Sequence, residues 1–278
     1  MTLILNGVAA SQAIKEQIKQ TVSQEIDKPH LAVVLVGHHP ASEVYVKNKI
    51  RSCLEVGFMS SIKRFESTIT QELLFKELDI LNHDQSIHGI IVQLPLPNHI
   101  NTQDIIDHIA PHKDVDGFHP LNVGNLHRGQ TAFVSATPFG ILQLLEFFNI
   151  KVASKHVVVV GRSNIVGKPM AALLLNENAT VTITHSKTVD LMHHTKQADI
   201  LIVAVGIKQL ITKDYVKEGV VVVDVGMHRN EDGTLCGDVH PSTYELASAY
   251  TPVPKGVGPM TIAALLLNTL KAFQERGR

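Results

Sequence analysis

The sequence predicts an α/β fold with two domains and a cleft between them. Along the 278 residues, short apolar runs of strand length alternate with segments that have the 3.6-residue period of amphipathic helices. Continuous apolar runs such as residues 31–37 and 157–161 are typical of strands buried on both faces of a parallel sheet. A stretch rich in Pro, Gly and His, residues 111–129, separates two such series and indicates a domain junction.

The first series is predicted to alternate strands with helices. Ser42 is a candidate N-cap, Gly57 is a candidate helix stop, and the LPLP run at residues 94–97 ends the last strand. The predicted helices are residues 8–26, 42–56 and 71–82, and the predicted strands are residues 31–37, 61–65 and 87–93.

The second series repeats the pattern, which implies parallel strands with right-handed crossovers. We expect the domains to comprise residues 1–118 and 119–259, with a terminal helix in residues 260–278 that packs back on the first domain. The predicted helices are residues 138–149, 167–176 and 260–273, and the predicted strands are residues 157–161, 179–184, 200–205 and 220–225.

Composition argues against several classes of partner. With a net charge of -1 and 18% charged residues, the chain is a poor candidate for binding nucleic acid or an anionic membrane. No apolar run is long enough to span a membrane and no basic leader opens the chain, so we expect a cytoplasmic protein. Cys53 and Cys236 are far apart and are expected to be reduced thiols, and the scattered histidines without HExxH predict no metal site.

The run VVVVGRSNIVGKP at residues 157–169 predicts a strand, a glycine turn and a helix start, where free N–H groups favour a phosphate. A P-loop is excluded, because five residues rather than four separate Gly161 from Gly167, and Pro169 replaces the Ser or Thr that would hold magnesium. The turn also lacks GxGxxG, so a dinucleotide site and a purely structural turn both remain open.

The strand that follows favours NADP over NAD. A typical NAD site has Asp or Glu at the end of this strand, where it holds the ribose hydroxyls. Here the strand runs into His185, Ser186 and Lys187. Arg162 and Ser186 could hold a 2′-phosphate, which a carboxylate would repel. The alternative is that Arg162 and Lys187 are solvated surface charges.

Tyr45 and Lys49 are four residues apart and therefore project from one face of the 42–56 helix. Spacing alone favours an exposed Tyr that packs on a Lys stem. The other interpretation is a ligand site, because the start of this helix lies at the carboxyl end of a strand, where open α/β sheets bind ligands. The apolar stripe of the helix is predicted to be Val46, Ile50, Cys53 and Leu54.

Further polar residues are expected near the same sheet edge. Gln93 ends the neighbouring strand, and Asp114 and Asp116 lie in the loop DVDG. A calcium loop is excluded, because no further ligands follow at the required spacing. A loop carboxylate can instead accept two parallel N–H bonds from an amidine-like ring edge.

Six motifs occur along the chain in the order VGHHPASEVYVKNKIRSC (36–53), HGIIVQLPLP (88–97), KDVDGFHPLNVGNL (113–126), VVVGRSNIVGKPM (158–170), HSKT (185–188) and TPVPKGVGPMT (251–261). Together they resemble the motifs of one family, the bifunctional methylenetetrahydrofolate dehydrogenase/methenyltetrahydrofolate cyclohydrolases. The resemblance extends essentially from end to end and is to the two-domain bacterial form.

The resemblance implies NADP-dependent oxidation of 5,10-methylenetetrahydrofolate, followed by hydrolysis of the methenyl product to 10-formyltetrahydrofolate. It implies that residues 1–118 bind folate and carry the catalytic residues, and that residues 119–259 are a Rossmann-like NADP-binding domain. It further implies a homodimer and a role in one-carbon metabolism for purine, histidine and methionine biosynthesis.

The resemblance also implies a role for individual residues. Tyr45 would stack on the folate, Lys49 would be catalytic, Gln93 would hold and tune Lys49, Asp116 would grip the pterin edge, and Ser42 would contact the substrate. A lysine of ordinary pKa, about 10.4, is a poor base at neutral pH, so the site is expected to lower that pKa. The residues implied at the NADP site are Gly161, Arg162, Ser163, Ser186 and Met227.

Two positions depart from the family pattern. SATP at residues 135–138 replaces the more usual Pro-Cys-Thr-Pro, and Lys255 stands where the family most often has Gly. Three other functions remain open: a monofunctional NAD-using dehydrogenase of the same family, an amino-acid or malate-type dehydrogenase, and a non-catalytic module that binds NADP.

Overall fold

The structure, a computed structural model, describes residues 2–276, and Cα proximity divides the chain into two compact units. The six-stranded unit comprises the chain up to Gln12 together with Thr137–Ala264. The three-stranded unit comprises Ala13–Ala136 together with the chain from Leu265 onward. Within the described residues, no helix combines the length and the apolar character needed to cross a bilayer.

The order of helices and strands is that of an α/β protein. The helices are α1 (Gly7–Ser23), α2 (Pro40–Glu55), α3 (Gln71–His83), α4 (Thr102–His108), α5 (Pro120–His127), α6 (Ala136–Phe147), α7 (Gly167–Asn176), α8 (Leu191–Thr195) and α9 (Val257–Gln274). The strands are β1 (Leu3–Ile4), β2 (His30–Val36), β3 (Met59–Phe65), β4 (Gly89–Val92), β5 (His156–Val160), β6 (Thr180–Thr184), β7 (Ile200–Val203), β8 (Val221–Asp224), β9 (His228–Arg229), β10 (Leu235–Cys236) and β11 (Ala249–Tyr250).

The larger sheet has the order β1-β11-β8-β7-β5-β6, and its paired strands all run parallel. Its central strands are continuous apolar runs because helices and loops cover both faces. In register, Val160 of β5 lies opposite Thr184 of β6 and Val203 of β7. The residues that follow these three strands therefore lie at one sheet edge.

The smaller sheet has the order β3-β2-β4 and is also parallel. The side chains of β2 are buried from Leu31 to Val36, and β4 is buried throughout. Leu74 and Leu78 of α3 and Ile105 of α4 complete the core on one face. The predicted α/β class with two sets of parallel strands is confirmed.

The boundaries of α2 correct two sequence predictions. The helix begins at Pro40, whose ring suits a first helical position, and the N-cap is His39, so Ser42 is not the N-cap. Gly57 ends the helix as predicted, with a φ of 83° that favours glycine. Val46 and Cys53 are buried as predicted, but Leu54 is 65% exposed and does not belong to the apolar stripe.

Other elements went unpredicted because they are short. The segment predicted to be an interdomain loop, residues 111–129, contains α5, which is capped by the His119 side chain and begins with Pro120. The two-residue strands β1 and β11 have no measurable period, and they extend the larger sheet at one edge. The expected domains, residues 1–118 and 119–259, remain a prediction.

A pair of histidines lies at the amino ends of β2 and β4. His88 Nδ1 accepts the backbone N–H of His30 at 3.1 Å, and its ring meets the Phe273 ring edge to face. Burial, with a smaller effect from the positive charge of Arg276, lowers the pKa of His88 from 6.5 to about 4. His88 is therefore neutral in the folded protein near neutral pH.

We expect acid to weaken folding through His88. The unfolded chain binds a proton below its pKa of 6.5, whereas the folded chain does so only near 4. Stability from this residue is therefore complete above pH 6.5 and is lost as the pH falls to about 4, with a slope of at most about 1.4 kcal/mol per pH unit.

His88→Asn keeps an acceptor for the His30 N–H and removes the titration. Urea unfolding at a series of pH values should show the wild type losing stability relative to this variant between pH 6.5 and about 4. A difference between the two proteins that stays constant over this range would contradict the assignment.

Candidate active site

A hydrogen bond joins Lys49 of α2 to Gln93, the residue that follows β4. Lys49 Nζ donates to Gln93 Oε1 at 3.2 Å, and Gln93 Nε2 donates to the Leu94 carbonyl at 2.8 Å. The second bond fixes which end of the amide faces the lysine. The Gln93 backbone N–H in turn donates to the Val34 carbonyl of β2, so the sheet fixes the position of Gln93.

Tyr45 lies one helical turn before Lys49, and 43% of its surface is exposed. Within residues 2–276 its hydroxyl has no hydrogen-bond partner, and its exposed surface is available to a ligand. Ser42, one turn of α2 further toward the helix start, is buried. The structure thus brings Tyr45, Lys49 and Gln93 to one side of the three-stranded unit.

The two aspartates of DVDG have different roles. Asp114 is buried, and its carboxylate accepts hydrogen bonds from Phe118 N, His119 N and Asn122 Nδ2, so it closes its own turn. The Asp116 carboxylate accepts no hydrogen bond from residues 2–276. Asp116 is therefore the aspartate available to a ligand.

A turn that starts beside β4 carries Asp116. Asp114 lies opposite Ile90 in a parallel bridge, and the Gly117 N–H donates to the Asp114 carbonyl at 3.1 Å, so Asp116 lies within this turn. Asn268 of α9 holds the preceding residue by donating to the Val115 carbonyl at 2.8 Å. Gly117 follows with a φ of 71°, and a Cβ there would collide with the backbone of residues 133–135.

Asp116 keeps some contact with solvent, but the protein around it removes enough water to raise the pKa of its carboxyl group. The positive charge of Lys49 opposes this rise, and the negative charge of Asp114 adds to it. Lys49 and Asp116 are thus close enough to interact electrostatically. A ligand with N–H donors would satisfy the open carboxylate.

The glycine turn lies in the six-stranded unit, between β5 and α7. Gly161 has a φ of 124°, and a Cβ there would collide with the Ala204 carbonyl. A Cβ on Gly167 would collide with the Gly161 carbonyl. Both positions require glycine because the chain folds back on itself to expose the start of α7.

Ser163 has a local role in this turn. Its Oγ accepts the backbone N–H of Val166 at 3.1 Å and of Gly167 at 3.3 Å, and thereby caps the first turn of α7. Both lone pairs of the hydroxyl group are engaged by these bonds, so it keeps only its own hydrogen to donate to a ligand. Its predicted contact with NADP is compatible with this cap but is not required by it.

Arg162 and Ser186 lie at equivalent places on neighbouring strands. Each is two residues beyond the paired Val160 and Thr184, and both side chains are exposed. Within residues 2–276 Arg162 has no ion-pair partner. The turn around Ser186 is closed by the His185 and Thr188 side chains, which accept backbone N–H groups of the turn, and residues 185–188 include no carboxylate.

A network of buried acids is the feature that sequence reasoning missed. Asp224, at the end of β8, accepts hydrogen bonds from Gly226 N, Asp238 N and Val239 N. Burial raises its pKa from 3.8 to about 6. An acid that ends an apolar strand, as in VVVD, was the available sequence signal for this network.

Met227, the remaining predicted NADP contact, is 53% exposed in the loop after β8.

Lys255 has a φ of 82°, in the region that favours glycine. Its carbonyl accepts the Gly7 N–H at 2.8 Å, and its side chain is exposed. This backbone conformation accounts for the glycine that the family most often has at this position.

Among the described residues, no group of three or more His, Cys, Asp or Glu side chains converges as a metal site would require.

Comparison with known families covers nearly the whole chain. Residues 5–116 match the model of the tetrahydrofolate dehydrogenase/cyclohydrolase catalytic domain. Residues 135–277 match the model of the NAD(P)-binding domain of the same family.

Individual relatives are similar over their full length. The bifunctional protein FolD of Anoxybacillus flavithermus is 53% identical over 277 residues, which cover 98% of each chain. The crystal structure of the bifunctional FolD methylenetetrahydrofolate dehydrogenase/cyclohydrolase from Campylobacter jejuni is 48% identical, with a TM-score of 0.97 over 99% of this chain and 100% of that one. The Trypanosoma brucei dehydrogenase-cyclohydrolase, solved with NADP and an inhibitor, is 35% identical, with a TM-score of 0.93 over 100% of this chain and 99% of that one.

Proposed function

Because the chain belongs to the tetrahydrofolate dehydrogenase/cyclohydrolase family, we propose roles for its own side chains in the two reactions of a bifunctional enzyme. The enzyme oxidises 5,10-methylenetetrahydrofolate to 5,10-methenyltetrahydrofolate with NADP and hydrolyses the product to 10-formyltetrahydrofolate. The observation that carries the assignment of roles is the hydrogen bond from Lys49 to Gln93, with Tyr45 and Asp116 in the same unit.

Tyr45 and Asp116 bind the folate. The open Tyr45 ring offers a face on which the planar part of the substrate stacks. The Asp116 carboxylate, which has no hydrogen bond within residues 2–276, accepts two parallel N–H bonds from the amidine-like edge of the pterin. Ser42 is the further substrate contact in this proposal, at the start of the helix that carries Tyr45.

Lys49 moves protons in the hydrolysis. Water adds to the methenyl carbon and loses one proton, which leaves a hydroxyl group on that carbon. The hydroxyl group then loses its proton as the carbonyl forms, the bond from the carbon to N5 breaks, and N5 gains a proton. The cation and one water thus give 10-formyltetrahydrofolate and a free proton. Gln93 accepts one hydrogen of the Lys49 amine and so aims the group at the reacting carbon.

The six-stranded unit contains residues that fit NADP. The collision that a Cβ would cause at Gly161 keeps the turn bare, which lets a dinucleotide approach the backbone at the start of α7. Arg162 and Ser186 would hold the 2′-phosphate, while Ser163 and Met227 would border the cofactor. When bound, NADP supplies the acceptor for the hydride that leaves the methylene carbon.

A dehydrogenase that uses NAD alone is the alternative within the family. It would need a carboxylate at the end of β6 for the ribose hydroxyls. His185, Ser186 and Lys187 occupy that place, and the next acid, Asp190, is engaged as the N-cap of α8. This chain therefore favours NADP.

The enzyme is further proposed to be a cytoplasmic homodimer that supplies one-carbon units for purine, histidine and methionine biosynthesis. Support for the dimer comes from β3, an edge strand that bears the exposed Met59 and Ile62. Val44 and Ile50 of α2 line one depression together with Ile62. An exposed strand edge beside an apolar face suits pairing with a second copy.

Residues 1–118 and 119–259 are the proposed folate and NADP domains.

Lys49→Gln should lower the cyclohydrolase kcat by at least about a hundredfold, because the amide cannot exchange protons at neutral pH. NADP affinity, measured by calorimetry, should stay at the wild-type value. Lys76→Gln, on an exposed side of α3 in the same unit, is the control and should retain both activities. Full hydrolysis of methenyltetrahydrofolate by the Lys49 variant would refute the role.

Asp116→Ala should raise the KM for methylenetetrahydrofolate by about thirtyfold or more, the effect of losing two charge-assisted hydrogen bonds. NADP affinity should not change. Asp107→Ala removes an exposed carboxylate from the three-stranded unit and should leave the KM as it is. Equal KM values for the Asp116 variant and the wild type would exclude pterin recognition by this residue.

Arg162→Ala should raise the KM for NADP about tenfold and leave the KM for NAD within about twofold, because only NADP carries the 2′-phosphate. Steady-state kinetics with both cofactors measure this difference. Lys196→Ala removes an exposed cation from the same unit and serves as the control. If both KM values rose together, Arg162 would be shown to act on the turn rather than on the phosphate.

A further inference from the structure

One carboxylate holds together the loops that follow β7 and β8. Asp238 is fully buried, and its Oδ2 accepts the N–H groups of Val205 at 2.8 Å and Gly206 at 2.9 Å. Its Oδ1 lies 2.7 Å from Nε2 of His228. Because a carboxylate only accepts, the histidine carries its hydrogen on Nε2.

The position of Asp238 is fixed from behind. Asp224 Oδ1 accepts the backbone N–H of Asp238 at 3.0 Å. A Cβ on Gly226 would collide with the Asp238 carboxylate, and a Cβ on Gly237 would collide with that of Asp224. The two acids therefore sit in a space that only glycine neighbours leave open, and Asp238 cannot move without moving both loops.

The held loop touches the glycine turn. Ala204 N donates to the Val160 carbonyl at 2.8 Å, and the Ala204 carbonyl lies where a Cβ on Gly161 would be. In a planar trans peptide the carbonyl points opposite to the next N–H. Since the N–H groups of Val205 and Gly206 face Asp238, the carbonyls of Ala204 and Val205 face away from it, and that of Ala204 faces the turn.

His228 is the partly exposed end of this chain of contacts. It follows Met227 directly, and 21% of its side chain is exposed. The side chain thus ties the Met227 loop to residues 204–206 by way of Asp238.

We propose that His228 is a positioning residue for the dinucleotide, whose hydrogen bond to the fixed Asp238 carboxylate holds Met227 beside residues 204–206 where NADP binds. This role rests on the proposed NADP site in the six-stranded unit. His228 acts through the two loops and takes no part in hydrolysis, because the proposed hydrolytic residues belong to the other unit.

The test compares His228→Ala with His228→Gln, whose side-chain amide can still donate to Asp238. NADP binding is measured by calorimetry, the KM and kcat for NADP by absorbance, and the cyclohydrolase activity on methenyltetrahydrofolate without NADP. His156→Ala is the matched control, since that half-buried histidine also has one side-chain hydrogen bond, to Thr182, but at the amino end of the same sheet.

We expect His228→Ala to raise both the Kd and the KM for NADP about tenfold, the effect of about 1.4 kcal/mol, while kcat stays within about twofold. His228→Gln should restore both constants to within about threefold. Cyclohydrolase activity should be that of the wild type in every variant, and His156→Ala should bind NADP normally.

A wild-type Kd in His228→Ala would overturn the proposal, and so would a Gln variant as weak as the Ala variant. A parallel fall in cyclohydrolase activity would overturn it as well, because it would show a general loss of structure. If the wild-type protein bound no NADP by calorimetry, the NADP assignment itself would fail, and that result is read before any variant is made.

Discussion

The parallel register of the two sheets is the constraint on which the proposed sites depend. In a parallel sheet, residues that follow neighbouring strands meet at one edge, because the hydrogen-bond ladder fixes how far each strand extends. Val160, Thr184 and Val203 are paired, so the glycine turn, Ser186 and Ala204 follow at one level. In the smaller sheet, Gln93 follows β4 directly, and the bridge between Ile90 and Asp114 starts the DVDG turn beside the same strand. The strand register alone is therefore enough to bring these polar residues close together.

Buried carboxylates secure the loops that leave these edges. Asp114, Asp224 and Asp238 each accept two or more backbone N–H groups that no strand satisfies. A carboxylate can do this because it has several lone pairs and no hydrogen to place, so one side chain closes a whole turn. Asp116 differs in that residues 2–276 offer it no N–H group. The oxygens of the other three acids already accept hydrogen bonds, so Asp116 is the one whose carboxylate is free to bind a ligand.

The sequence was sufficient for the long apolar strands and for the helices with a clear period, because burial of a continuous run leaves a strong pattern. It failed where a neighbouring residue or a tertiary contact decides the outcome. Ser42 has the chemistry of an N-cap, yet Pro40 can already occupy a first helical turn and the helix starts there. Asp114 and Asp116 look alike in DVDG, where only the family resemblance favours Asp116, and the positions of Phe118, His119 and Asn122 supply the physical reason that Asp114 is the structural acid. His228 and Asp238 are ten residues apart with no shared period, so their contact could not be read from spacing.

Asp224 illustrates that these buried acids hold loops in place and do not add to the folding stability. Its pKa is raised from 3.8 to about 6, so the folded chain holds the proton more tightly than the unfolded chain. The stabilising effect of that proton is present at low pH and is lost as the pH rises through about 6. At neutral pH the ionised group therefore costs stability, by up to about 3 kcal/mol from the shift in pKa. An apolar residue would avoid that cost but would leave three N–H groups without an acceptor beside the loop that carries Met227. The cost is compatible with a stable fold because the strands around it are almost wholly apolar and buried.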